Sequence, residues 1–317
     1  MTAAPPELLL ALPLALGVLL CAALGSLVLG RSRTGLDARS TSARVLGGIA
    51  GTVAIGVLSA LAVAGVPAEG FLSRGAVATL GPGIAGLLLI GAILLGDRRT
   101  SPRAEASPLR TAPLRHQGFV ERLPRVPFRL AAGVFGASAI ASVLTTFTSR
   151  GCSFRCYTFS GIPSSRGDGS LTSLTVSPYP GLAYTGPLWL GLLPILAALL
   201  LSIRSVLRTP TSAAPAVDPG RARTMVSLLG AASLTGSLGL VGVAGSAASV
   251  LGARPLQTAE GVFAVLAGLV AAAAALTAII ALAMVLAPGF FAAAGPAPSS
   301  RVPDIRIAAR SLAEHRP

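Results

Sequence analysis

The chain has 317 residues, of which 53% are hydrophobic and only 11% charged, with a formal net charge of +14. A soluble domain keeps roughly a quarter of its residues charged. This composition therefore excludes a water-soluble fold, and the few charges fall in short clusters between long apolar runs, the pattern of a multi-pass α-helical membrane protein. All 25 basic residues are arginine. Without lysine, Schiff-base chemistry, a retinal linkage and a phosphate-loop nucleotidase are excluded. Abundant Ala, Gly, Leu, Pro and Arg point to a GC-rich, bacterial origin.

Seven apolar runs follow one another: Leu8–Gly30, Val45–Val66, Ala76–Gly96, Leu130–Phe147, Pro187–Ile203, Val226–Leu251 and Gly261–Leu286. At ~1.5 Å rise per residue, each covers most or all of a hydrocarbon core ~30 Å thick. The first run follows Glu7 rather than a basic stretch and reads as a span, not a cleaved signal peptide. The expected fold is an all-α bundle of about seven transmembrane helices over residues 1–300, with a basic tail over 301–317. Orientation comes from the arginines. Twenty lie on the side that holds Arg31–Arg44, the Asp97–Arg129 loop, Arg204–Arg223 and the tail; only Arg74, Arg150, Arg155, Arg166 and Arg254 lie on the other. The positive-inside rule then places the N-terminus outside, the C-terminus in the cytoplasm and the protein in the plasma membrane. On this reading the partners of the charge are anionic lipid headgroups, not nucleic acid.

Taken in chain order, the second run carries Gly47-x-x-x-Gly51, a small-residue pair suited to close helix contact. The third contains Gly81-Pro82-Gly83, where a missing donor and free dihedrals predict a kink or break; broken helices also form ion or substrate sites in transporters. The inner loop is rich in Arg, Pro and Ser through residue 115 and reads as disordered in its first half. Its second half sets Phe119, Leu123, Val126 and Leu130 against Arg122, Arg125 and Arg129, which predicts an interfacial strip broken by Pro124 and Pro127, with the arginines on lipid headgroups. A cytoplasmic protein could dock on the same strip.

The outer loop Thr148–Gly186 holds Cys152 and Cys156, which in an oxidising compartment favour a disulfide over free thiols or a metal site. Its aromatics, Tyr157, Phe159, Tyr179 and Tyr184, together with Trp189, read as interface anchors. The Arg166-Gly167-Asp168 tripeptide reads as chance. Pro187 and Pro194 are expected to bend the fifth span. The sixth repeats a small residue every third position: Ser227, Gly230, Ser233, Gly236, Gly239, Gly242 and Gly245. Three residues rotate ~300°, so this stripe winds around its helix. It suits a central helix packed on several neighbours, a solute path or a homodimer seam.

No apolar run has an ionisable residue in its middle; Asp97 closes the third beside Arg98, and His116 and His315 lie outside the runs. Intramembrane catalysis and proton coupling need such groups. The expectation is therefore a protein without enzymatic activity, cofactor or metal, acting as an accessory or structural membrane subunit through a membrane or cytoplasmic partner. A small-solute permease is the alternative. An outer-face enzyme would have only Glu7, Glu69, Glu260, Asp168 and the cysteines to work with.

Overall fold

The structure, a computed structural model, describes residues 38–63, 76–100, 123–149, 156–163, 171–176, 179–208, 219–252 and 258–292. The expected first span, Cys152, Arg122, the inner loop before residue 123 and the basic tail lie outside these residues. Seven α-helices are present among the described residues: α1 Ala38–Val63, α2 Gly81–Thr100, α3 Arg125–Thr148, α4 Leu182–Arg208, α5 Pro219–Leu251, α6 Ala259–Leu286 and the short α7 Pro288–Ala292. Five contain stretches long and apolar enough to cross a membrane: Ala78–Asp97, Arg125–Thr148, Leu182–Leu207, Gly220–Leu251 and Ala259–Leu286. In α1 the apolar stretch Ser42–Leu58 is shorter. The chain is a multi-pass helical membrane protein.

Local chemistry sets the helix ends. Thr258 caps α6 by accepting from the Gly261 N–H at 3.2 Å, and Glu260 places negative charge in the first turn, where the helix dipole favours it. Pro288 follows the α6 cap residue Ala287 and stops the helix. The Gly81-Pro82-Gly83 segment does not interrupt a helix. A 3-10 turn, Ala76–Leu80, leads into α2 at Gly81, so Pro82 occupies a first-turn position whose N–H has no intrahelical acceptor anyway. Proline also fails to break the inner lead-in. Pro124 is the N-cap of α3 and Pro127 lies in its first turn, so Arg125–Leu130 opens the span instead of forming a separate interfacial strip. Val126 is exposed while Leu123 is buried, which separates two residues expected on one face.

Helix α5 is the axis of the bundle. Of its apolar window 78% is buried, against 28–33% for the other four spanning stretches. Helices α2, α3, α4 and α6 surround it, and α1 packs on the outer side of α2. The core between them is filled by Leu89 and Ile93 of α2, Phe135 of α3, Leu188, Leu192 and Ile195 of α4, and Leu228 and Leu229 of α5.

Among the described residues one element is not helical. The Thr148–Gly186 loop contains an antiparallel hairpin, β1 Tyr157–Pro163 and β2 Leu171–Val176, with Tyr157 opposite Val176 and an irregularity between Phe159 and Ile162. Phe159 and Tyr179 are buried with Ala247, Val250 and Leu251 at the end of α5 and Ala264 near the start of α6. Phe159 and Tyr179 therefore pack inward instead of anchoring at the interface, while Tyr157, Tyr184 and Trp189 are half-buried. Tyr157 meets Phe159 edge-on at 4.9 Å and Tyr179 at 5.1 Å, and the three rings seat the hairpin on the bundle.

Candidate functional site

The end of the bundle opposite the hairpin contains a buried charge. Arg44, near the start of α1, is 1% exposed. Its Nη2 donates to both carboxylate oxygens of Asp97 at 3.2 Å, and its Nη1 donates to Ser227 Oγ at 2.7 Å and to the Val285 carbonyl at 2.9 Å. Thr224 Oγ1 donates to Asp97 Oδ2 at 2.6 Å. The guanidinium thus ties α1 to the last turn of α2, the opening turns of α5 and the last turn of α6. Its Nε has no partner among the described residues.

Helix ends explain why the charges gather here. The last carbonyls of α6 have no intrahelical donor, and the Val285 oxygen receives one from Arg44. A carboxylate near the C-terminus of α2 opposes that helix dipole and needs a cation beside it. Arg44 is expected among the arginines that face lipid headgroups, and Asp97 beside Arg98 at a span end. Both readings are corrected, because burial in a medium that solvates charge poorly drives the two together. A signal for this pairing exists in the sequence. Arg44 opens one span and Asp97 closes the next, nearly equidistant in sequence from the short Pro67–Gly75 segment between the two runs, so antiparallel neighbours must bring them to one level.

The small-residue stripe resolves into separate contacts. A Cβ on Gly230 would meet Met284 Cβ of α6 at 2.9 Å, one on Gly236 would meet Val134 of α3 at 2.8 Å, and one on Gly239 would meet Leu188 of α4 at 2.9 Å. Successive glycines of a winding stripe therefore face successive neighbours. Ser233 is buried and returns its hydroxyl to the Leu229 carbonyl. Gly242 and Gly245 depart from the expected packing: nothing lies within 4 Å of a Cβ built on either, so the end of the stripe faces open space.

Gly83 has a role that sequence reading missed. Its added Cβ would lie 2.5 Å from Gly191 Cα of α4, so the two backbones touch there. Gly47 and Gly51 face Ala92 and Ala85 of α2 in the same manner.

Arg125 and Arg129 are exposed on α3. Between α3 and α6, above Leu240 of α5, an open apolar groove of about 330 Å³ runs from Arg129 past Gly133 and Ala137 to Ala273 and Ala274. Cys156 is buried and held in a disulfide; Cys152, its expected partner, lies outside the described residues. At the hairpin end, the Tyr179 hydroxyl and Thr148 Oγ1 share a hydrogen bond of 2.7 Å. Burial pushes the Tyr179 phenol above its ordinary pKa, the Thr148 bond partly offsets this, and Tyr157 adds to the rise.

No family model matches the chain, and neither a curated protein nor a solved structure shows significant similarity to it. The functional reading rests on these residues.

Proposed function

We propose that this chain is a non-enzymatic subunit of the plasma membrane that works through protein partners, with its arginine-rich end in the cytoplasm and its hairpin outside. The observation that supports this reading is the filled centre of the bundle. Around α5, where a solute path would run, large side chains occupy the space and glycines bring helices into direct contact. Arg44 and Asp97 at the arginine-rich end are engaged by the protein itself, with four helices contributing to one cluster. Such a body is built to hold a shape. Purification from native membranes in mild detergent tests the proposal. A partner at fixed stoichiometry is expected, and a solitary chain that moves solute in reconstituted vesicles overturns it.

A permease is the second reading, favoured by Arg44 and Asp97, since ionisable residues within membrane spans commonly mark ion pathways. On that reading Asp97→Asn abolishes uptake in vesicles. On the first reading vesicles show no uptake with either chain.

A further inference from the structure

We propose that the groove between α3 and α6 binds one acyl chain of an anionic phospholipid, with the lipid phosphate held by Arg129 and Arg125. The exposed face of a membrane bundle is ordinarily a convex surface of large apolar side chains, as Leu266, Leu269 and Leu276 form on α6. The groove differs in its walls and its charge. Gly133, Ala137 and Ala273 recess it, and a Cβ built on Gly133 meets nothing within 4 Å. Its volume of about 330 Å³ falls at the lower end of the range for ligand pockets, roughly 300–1,000 Å³.

Arg129 lines the end of the groove nearest the start of α3. That is the arginine-rich end of the bundle, since Leu130 packs there against Val226 and Met284. Arg125 stands four residues earlier, on the same face of the helix and one turn nearer the water. An open apolar slot ending at the exposed Arg129, with the exposed Arg125 one turn beyond on the same helix, is complementary to one kind of membrane component, an acyl chain carrying a negative headgroup. The arginines favour a net-negative headgroup over a zwitterionic one, whose phosphate is offset by its own cationic group.

The full chain in bilayers of equimolar phosphatidylglycerol and phosphatidylcholine with identical acyl chains, followed by native mass spectrometry, tests the site. The wild type is expected to retain one lipid, enriched in phosphatidylglycerol. Gly133→Leu and Ala273→Leu fill the groove from opposite walls and should each lose it, with melting temperature unchanged. Gly242→Leu, at an open-facing glycine outside the groove, should keep it. Arg129→Gln should lower the preference for phosphatidylglycerol about fivefold, the ratio that roughly 1 kcal/mol implies. Retention unaffected by both groove-filling variants overturns the proposal, as does equal retention of the two lipids. A wild-type dimer that Gly133→Leu dissociates also overturns it, by making a second copy the occupant.

Discussion

Arg44 and Asp97 stabilise the bundle as a unit, so single replacements and the double replacement should differ in kind. Asp97→Asn leaves a guanidinium that is 1% exposed without its counter-charge, and loss of one partner of a buried pair costs about 3–5 kcal/mol. Arg44→Met keeps an apolar stem but removes the counter-charge of Asp97 and the donor to the Val285 carbonyl. The double variant Arg44→Met/Asp97→Leu removes both charges, and should recover most of the loss, since apolar replacement of a buried pair is near neutral. Denaturation in detergent micelles, run as a double-mutant cycle, measures this. Additive single effects would show that the pair does not act together. The types and positions of both residues are legible in the sequence; their burial is not. Arg44 has the same letter and the same span-end position as the exposed Arg129, and only the neighbours that α2, α5 and α6 supply distinguish the two.

At the scale of elements, contact between backbones makes specific glycines irreplaceable. Gly83→Ala would set a methyl group 2.5 Å from the Gly191 backbone, which cannot rotate away as a side chain would. The helices α2 and α4 must then separate, at a cost of about 1–3 kcal/mol. Gly242→Leu meets nothing and should leave the detergent melting temperature unchanged; equal melting of the two variants would refute the assignment. The hairpin makes a different prediction. Burial raises the Tyr179 pKa, so folding favours the neutral phenol. Its contribution is complete below the unfolded value of about 10 and is lost as the pH rises through the higher folded value. The hydrogen-exchange protection factors of β1 and β2, taken relative to the base-catalysed intrinsic rate, should therefore hold up to about pH 10 and fall above it. Tyr179→Phe should abolish that alkaline step while losing about 1 kcal/mol with the Thr148 bond. A step that persists in the Phe variant assigns it elsewhere.

For the whole molecule, the described helices sort their termini consistently. The start of α1, the end of α2, the start of α5 and the end of α6 meet at Arg44, and the hairpin covers the opposite end. Combined with the arginine bias, this predicts that reporters fused to chains truncated after Ala106 or Ala293 report cytoplasm, and after Gly161 the outside. A reporter after Ala106 that is active only outside the cytoplasm would refute the seven-span topology.

Sequence alone determined that the protein is a multi-pass helical membrane protein, and five of its seven apolar runs coincide with helices long and apolar enough to cross a membrane, because the bilayer acts on each segment separately. A run such as Gly261–Leu286 is apolar enough to enter lipid whatever surrounds it. The centrality of α5 was partly visible for the same reason, since a winding row of small residues has meaning only beside several neighbours. Tertiary structure alone decided which members of that row are engaged. Gly239 and Gly242 are alike in letter and spacing, yet Leu188 closes on the first and nothing closes on the second. It also decided that Phe159 and Tyr179 are buried against the ends of α5 and α6, and that one arginine is drawn into the core. In lipid an apolar surface gains little by choosing a neighbour over the solvent, so hydropathy carries no information about partners. The partners are settled by shape at the glycines and by the need to neutralise charge at Arg44, and both are properties of surfaces that exist only once the helices have met.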